Sequence, residues 1–358
     1  MPFLLVPLIA FAVTAAITPW VARFAVRFGV VDRPNEPRKI HTRPVPLLGG
    51  WALFIGLAAA LTAAARLGAI PGPHIKEKFI VGILLAALFL VVGGSLDDRY
   101  NLPPKKQIVW PILAALTIIA SGIGVTVVTN PFGGVLHLER WQFTLLTFQG
   151  IPYKVTVIAD LFTFAWLLGV TYTTKFLDGL DGLVSGITGI GCLVIAAVSL
   201  MKEVSQPDTS ILALGFAGAC LGFLLWNFHP ARIFLGEGGS TLAGFMLGVL
   251  AIVSGGKIAT TLLVLGLPLF DAAFVIIRRL FIERRSPTVA DRSHLHHRLL
   301  DIGFTHRQAV LFMYALAAAF GASTLVLRGA QKVAALGFLL SILIAIVAAS
   351  LAVKRKKI

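Results

Sequence analysis

The stretch FIVGILLAALFLVVGGSLDDRY, Phe79–Tyr100, decides the fold. Its first eighteen residues carry no charge, which is enough helix to cross a bilayer core of about 30 Å. Asp97 and Asp98 stand where the apolar run stops. Carboxylates beside hydrocarbon are costly, so acids at such a position point to function. Similar polar clusters end other apolar runs: Asp178-Gly179-Leu180-Asp181-Gly182, Gly236-Glu237-Gly238-Gly239-Ser240 and His294-Leu295-His296-His297-Arg298. Four clusters on one membrane face would make one site from distant parts of the chain.

The 358 residues are 57% hydrophobic and 13% charged, against roughly 25% charged in a soluble domain. The reading is an all-α polytopic membrane protein, one domain over residues 1–358. The formal charge of +15 would suggest nucleic acid in a soluble chain. Here its distribution matters more than its sum, and no nucleic-acid partner is expected. Cys192 and Cys220 lie in apolar runs and read as packing residues. The N-terminal run lacks a charged leader and reads as a first membrane helix rather than a removable signal.

Eleven runs are long enough to cross: 2–22, 47–66, 79–96, 107–128, 157–174, 183–201, 209–226, 240–254, 258–277, 308–327 and 333–353. With the N-terminus outside, one set of loops (23–46, 97–106, 175–182, 227–239, 278–307 and the basic tail 354–358) holds 22 of the 31 Lys and Arg residues. The positive-inside rule puts that set, and all four clusters, in the cytoplasm of an inner-membrane protein.

Each loop has a bland and a sharp reading. Arg38, Lys39 and His41 belong to a basic loop that suits either lipid headgroups or a substrate phosphate. Asp97 and Asp98 point about 100° apart on a helix, so one could face a ligand while the other pairs with Arg99 or Lys105. Asp178 and Asp181, spaced i, i+3, would share a face in a helical turn, and their oxygens suit a hard cation such as Mg²⁺. A DG repeat is otherwise a common turn. Glu237 precedes a helix start that Ser240 or Thr241 could cap, where free N–H groups attract phosphate. It would supply a metal ligand, with Arg232 as counter-charge. The histidines lack an HExxH pattern and nearby cysteines, so a diphosphate or nucleotide fits them better than zinc. Asp271 lies deeper, in the ninth run, either to pair with Arg278 or Arg279 or to tune the site; the sequence leaves both open.

In order and spacing, from about Asp32 to Gln308, these residues resemble the polyprenyl-phosphate N-acetylhexosamine-1-phosphate transferase superfamily. The resemblance rests on Asp97-Asp98 with Leu102 and Lys105, Asp178-Gly-Leu-Asp181-Gly-Leu, Asn227-Phe-His-Pro-Ala with Gly236-Glu237, and the HxHH run. It implies transfer of a sugar-1-phosphate from a UDP-N-acetylhexosamine to undecaprenyl phosphate with release of UMP, using Mg²⁺ or Mn²⁺. The His294-Leu-His296-His297-Arg298 form is similar to the N-acetylglucosamine-1-phosphate branch. The phospho-N-acetylmuramoyl-pentapeptide branch is the alternative. Three positions depart from the family pattern: Tyr172 and Lys175 stand where asparagines are common, and Glu237 where aspartate is usual.

The resemblance implies that Asp181 and Glu237 hold the metal with Asp178 in support. Asp97 would deprotonate or position the lipid phosphate, and Asp98 would assist. Lys105, Lys175, Asn227, Arg232, His294, His296, His297 and Arg298 would contact the nucleotide sugar. Pairing of two copies as a homodimer stays open. An ion-coupled transporter is the rival from another class, although its acids should lie nearer the bilayer midplane. A silent family member that only binds lipid-linked sugars is the second rival.

Overall fold

The computed structural model describes residues 1–34, 43–130, 133–148, 151–255, 258–284 and 294–356. Helix α1 (Pro2–Arg27) leads through a short antiparallel pair, β1 (Val31–Asp32) and β2 (Val45–Pro46), into α2 (Gly49–Arg66). Next come α3 (Glu77–Tyr100), the single turn α4 (Pro104–Gln107) and α5 (Val109–Ser121). Two hairpins follow, β3 (Val127–Thr129) with β4 (Val135–His137) and β5 (Gln142–Phe148) with β6 (Ile151–Thr156). The next helices are α6 (Val157–Leu177), α7 (Leu183–Ser199), α8 (Pro207–Asn227) and α9 (Gly236–Val253). Then α10 (Ile258–Val264) and α11 (Gly266–Ile277) precede a π-helical turn at Arg278–Ile282. The chain ends in α12 (Leu295–Ile302), α13 (His306–Ser323) and α14 (Ala330–Lys356).

Among the described residues, seven helices are long and apolar enough to cross a membrane: α1, α2, α3, α6, α8, α9 and α14. The α10–α11 pair makes eight if taken as one span, although it is bent by 80°. The sequence predicted one straight run there, over 258–277. Pro268 lacks the N–H that would bond to Val264, and the helix breaks at that turn. The expected run 107–128 is also shorter than predicted. Gly122, at φ +89°, ends α5 in the left-handed region, and residues 127 and 128 join a hairpin instead. The remaining two expected runs are the 17-residue α7 and the 18-residue α13. The hairpins add short strands to a fold predicted as all-α.

Burial ranks the helices. The apolar window of α9 is 89% buried and that of α14 only 17%, so α9 is the central post. Helices α2, α3, α6 and α7 pack around it. Lipid tails are as apolar as leucine, so membrane helices gain by close approach of small residues. Gly94 of α3 and Gly238 of α9 illustrate this: a Cβ on Gly94 would lie 2.1 Å from the Gly238 nitrogen. That contact sets Asp97 and Asp98 beside the start of α9. Outward-facing Leu161, Leu225 and Phe338 remain exposed, as expected where lipid is the solvent. Cys192 and Cys220 are free and buried.

Candidate active site

Five acids gather where α3, α6, α7 and α9 end or begin. Asp98 reaches across from α3, and the backbone N–H of Glu237 donates to its Oδ1 and Oδ2 at 3.0 and 3.2 Å. The cap of α9 therefore comes from another helix. Ser240 and Thr241, predicted as caps, instead donate back to the carbonyls of Gly236 and Glu237. A carboxylate at a helix N-terminus is favoured by the free N–H groups and the macrodipole.

Asp97 takes a different partner. Its Oδ1 accepts from the Leu102 N–H at 2.7 Å and from Gln107 Nε2 at 3.0 Å. Neither acid pairs with Arg99 or Lys105 among the described residues, contrary to the expectation. Gln107 also donates to the Leu102 carbonyl, and its Oε1 accepts from Lys175 Nζ at 3.0 Å. Lys175 in turn lies 2.6 Å from Glu237 Oε1. A polar chain thus runs Asp97–Gln107–Lys175–Glu237 across four elements, beside a small cleft between α3, α5 and α9 lined by Gly93, Gly94 and Trp110.

The DGLDG segment is a turn between α6 and α7 rather than a helical turn, and its two aspartates have different surroundings. Asp178 follows the last residue of α6. Crowding by protein, then repulsion from Glu237 and Asp181, pushes its carboxyl up to about 7, while a hydrogen bond from Ser240 acts the other way. The residue is itself exposed, so water tempers that rise. Asp181 accepts from His229 Nδ1 at 2.7 Å and from the Ala231 N–H at 3.1 Å. Its own N–H donates to His306 Nε2 at 2.8 Å. The two imidazoles stack with centroids 4.0 Å apart.

The donor atoms of Asp181, His229 and His306 lie within 4.8 Å of one another. A mixed nitrogen and oxygen set suits zinc-like ions better than Mg²⁺. Here, however, Asp181 bonds to both histidines and ties the turn to α13. The expected joint ligands Asp181 and Glu237 are therefore divided: histidine and backbone hold one, lysine holds the other. Asp178 is the acid that Glu237 repels.

Asn227 is 3% exposed. Its Oδ1 accepts from the Gly182 N–H and Ser185 Oγ, and its Nδ2 donates to the Ile233 carbonyl. It clamps the turn from beneath. Tyr314 adds a hydroxyl bond to the Gly182 carbonyl. Arg232 is exposed, with its guanidinium 5.4 Å from the Trp226 ring centroid. Lys105 is exposed and has no partner among the described residues.

The HxHH run opens α12. Asp271 fixes it, accepting from His294 Nδ1 and the Leu295 N–H, both at 2.9 Å. His294, His296 and Arg298 are 9%, 3% and 6% exposed. Burial, then His297, His294 and His306, hold the His296 imidazole well below the usual histidine range, so it is neutral. A Cβ on Gly179 would sit 2.1 Å from His296 Nε2. Glycine there is what lets α12 close on the DGLDG turn. Arg38, Lys39 and His41 lie outside the described residues.

Gln107, His229 and His306 were missed by sequence reasoning. His229 stands inside a quoted motif. His306 follows Thr305, whose capping box with Gln308 is an N-terminal signal legible in the sequence.

Fold and site together define a polytopic helical membrane protein with an acid-rich centre at its helix ends. The family model described as glycosyl transferase family 4 matches residues 80–255. A probable undecaprenyl-phosphate N-acetylglucosaminyl 1-phosphate transferase of Bacillus subtilis is 34% identical over 322 residues, 88% of this chain and 82% of the relative. A decaprenyl-phosphate N-acetylglucosaminephosphotransferase of Mycolicibacterium smegmatis is 34% identical over 345 residues, covering 89% and 81%. A phospho-N-acetylmuramoyl-pentapeptide-transferase of Desulforudis audaxviator is 30% identical over 328 residues, covering 87% and 93%. The chain belongs to glycosyl transferase family 4, the polyprenyl-phosphate N-acetylhexosamine-1-phosphate transferase superfamily.

Proposed function

We propose that the protein transfers N-acetylglucosamine-1-phosphate from UDP-N-acetylglucosamine to undecaprenyl phosphate, releasing UMP. The observation that carries this reading is the convergence of Asp97, Asp98, Asp178 and Glu237 at one end of the bundle. The names of two relatives at 34% identity favour N-acetylglucosamine as the sugar. The basic-residue count supports a site facing the cytoplasm, where nucleotide sugars are made.

An oxygen of the lipid phosphate attacks the β-phosphorus, the bond from that phosphorus to the α-phosphate oxygen breaks, and UMP leaves. Such transfers rest on positioning and charge neutralisation. Asp97 Oδ2 makes no hydrogen bond among the described residues, which leaves it to orient the acceptor phosphate or take its proton. A phosphate monoester has a second pKa near about 6, so orientation is the larger need at pH 7. Asp98 holds the start of α9 in place and aims the N–H groups behind Glu237. The locked His229–Asp181–His306 group fixes the DGLDG turn against which a nucleotide would sit. Neutral His296 packs beneath Gly179.

A divalent cation fits this site by charge: Asp98, Asp178 and Glu237 crowd together, and Lys175 pairs with Glu237 alone. Glu237 and Asp178 would hold it. Mg²⁺ prefers such oxygen ligands and bridges to phosphates, and when bound it would neutralise charge developing on the diphosphate. The test incubates purified protein with undecaprenyl phosphate, Mg²⁺ and a panel of UDP-N-acetylhexosamines. UMP release with UDP-N-acetylglucosamine is the expected result. A folded preparation that releases none with any sugar refutes the reading.

A further inference from the structure

Tyr172, Lys175 and Glu237, the three departures noted in the sequence, meet in space. Lys175 Nζ lies 2.6 Å from Glu237 Oε1 and 5.5 Å from the Tyr172 ring centroid. Both charged side chains are 19% exposed, sheltered but within reach of water. Gln107 Oε1 is a second dock for the same ammonium at 3.0 Å, and Gln107 is itself fixed by Asp97 and the Leu102 carbonyl.

We propose that Lys175 is the resident cation of the acid cluster: its ammonium holds Glu237 until a divalent cation arrives, then yields that carboxylate and turns to the nucleotide's diphosphate. This rests on reading the site as a cation and diphosphate centre. The two cations compete for one carboxylate. An ion bound to Glu237 lies about 2.1 Å from its oxygen, so an ammonium left in place would face it at close range with like charge. Lysine suits an exchange because it is a compact charge on a flexible four-carbon stem. Gln107 keeps the displaced ammonium near the site, and the Tyr172 ring gives it a face to lean on. Aspartate is one carbon shorter than glutamate, so the longer Glu237 side chain extends toward the lysine. Lys175 therefore weakens divalent-cation binding in the empty enzyme and supplies its own charge to the diphosphate.

The experiment measures Mn²⁺ binding to purified full-length protein by electron paramagnetic resonance of free Mn²⁺, without nucleotide. It compares wild type, Lys175→Met, Lys175→Arg, Glu237→Gln and the Lys175→Met/Glu237→Gln double variant. Removing the competing charge should tighten Mn²⁺ binding at least about tenfold in Lys175→Met, and the gain should vanish in the double variant. Lys175→Arg keeps the charge and should bind no tighter than wild type. With Mn²⁺ saturating, UDP binding should weaken about tenfold in Lys175→Met and survive in Lys175→Arg. Equal Mn²⁺ affinity in wild type and Lys175→Met overturns the proposal, as does a gain that persists without Glu237. Should Lys175→Met not fold, Lys175→Arg decides: tighter Mn²⁺ binding than wild type overturns the proposal, and equal or weaker binding supports it. Wild type that releases UMP but shows no such competition loses the lysine proposal and keeps the transferase. A competition seen in protein that releases no UMP does the reverse.

Discussion

The N–H of Glu237 donates to Asp98 Oδ1 at 3.0 Å, and this bond joins the end of α3 to the start of α9. It places the expected ligand Glu237 under the control of a residue 139 positions earlier in the chain. Asp98→Ala should leave the Glu237 N–H without its acceptor and cost about 1–3 kcal/mol of stability. Asp98→Asn keeps an acceptor and should cost less. Thermal unfolding in a lipid nanodisc checks the order, and an alanine variant as stable as the asparagine variant contradicts it.

Glu237 and Asp181 should separate by substitution. Glu237→Gln removes the carboxylate that pairs with Lys175 and should lower kcat at least about 100-fold. Asp181→Asn keeps an oxygen for His229 and Ala231, so its loss should be within about tenfold. Steady-state UMP release on both variants tests this. The reverse order would make Asp181 the principal ligand.

The apolar runs and the acids at their ends were legible, because hydropathy and the cost of carboxylates near lipid are local properties of sequence. The partners of those acids were not. Asp98 meets Glu237 because Gly94 lets α3 close on Gly238, and Gln107 bridges Asp97 to Lys175 because the chain folds back after Pro103 and Pro104. Such pairings depend on helix packing, which periodicity does not encode. The β5–β6 hairpin did leave a signal: Thr144, Thr147, Tyr153, Val155 and Thr156 favour strands. It was hidden by reading that segment only as a loop between crossings. Asn227 left no such signal: the hydrogen bonds by which this buried motif residue holds the DGLDG turn come from helix packing.

Gly179 should be intolerant of a side chain because His296 fills the space beside it. Gly179→Ala is expected to express and lose most activity, while Gly179→Ala/His296→Ala regains part of it. The coupling between the two changes should reach about 1 kcal/mol or more. Additive losses in that double-mutant cycle would show that the close approach is unimportant.

His296 should also make the fold sensitive to acid. Its pKa is depressed, so the unfolded chain binds the proton more tightly than the fold. Stability from this group is present above pH about 6.5 and is lost as pH falls below it. His296→Gln should flatten that part of the pH–stability curve. Denaturant unfolding at pH 7.5 and pH 5.5 tests it, and an unchanged slope in the variant assigns the acid sensitivity elsewhere.

The central claim is that the β-phosphate travels with the sugar. UDP-N-acetylglucosamine labelled with ³²P at the β-phosphate, incubated with the protein, undecaprenyl phosphate and Mg²⁺, tests it most directly. The account predicts that label enters the lipid extract in step with UMP release. Label that stays in UDP while sugar enters the lipid would show glycosyl transfer at the sugar carbon and contradict it.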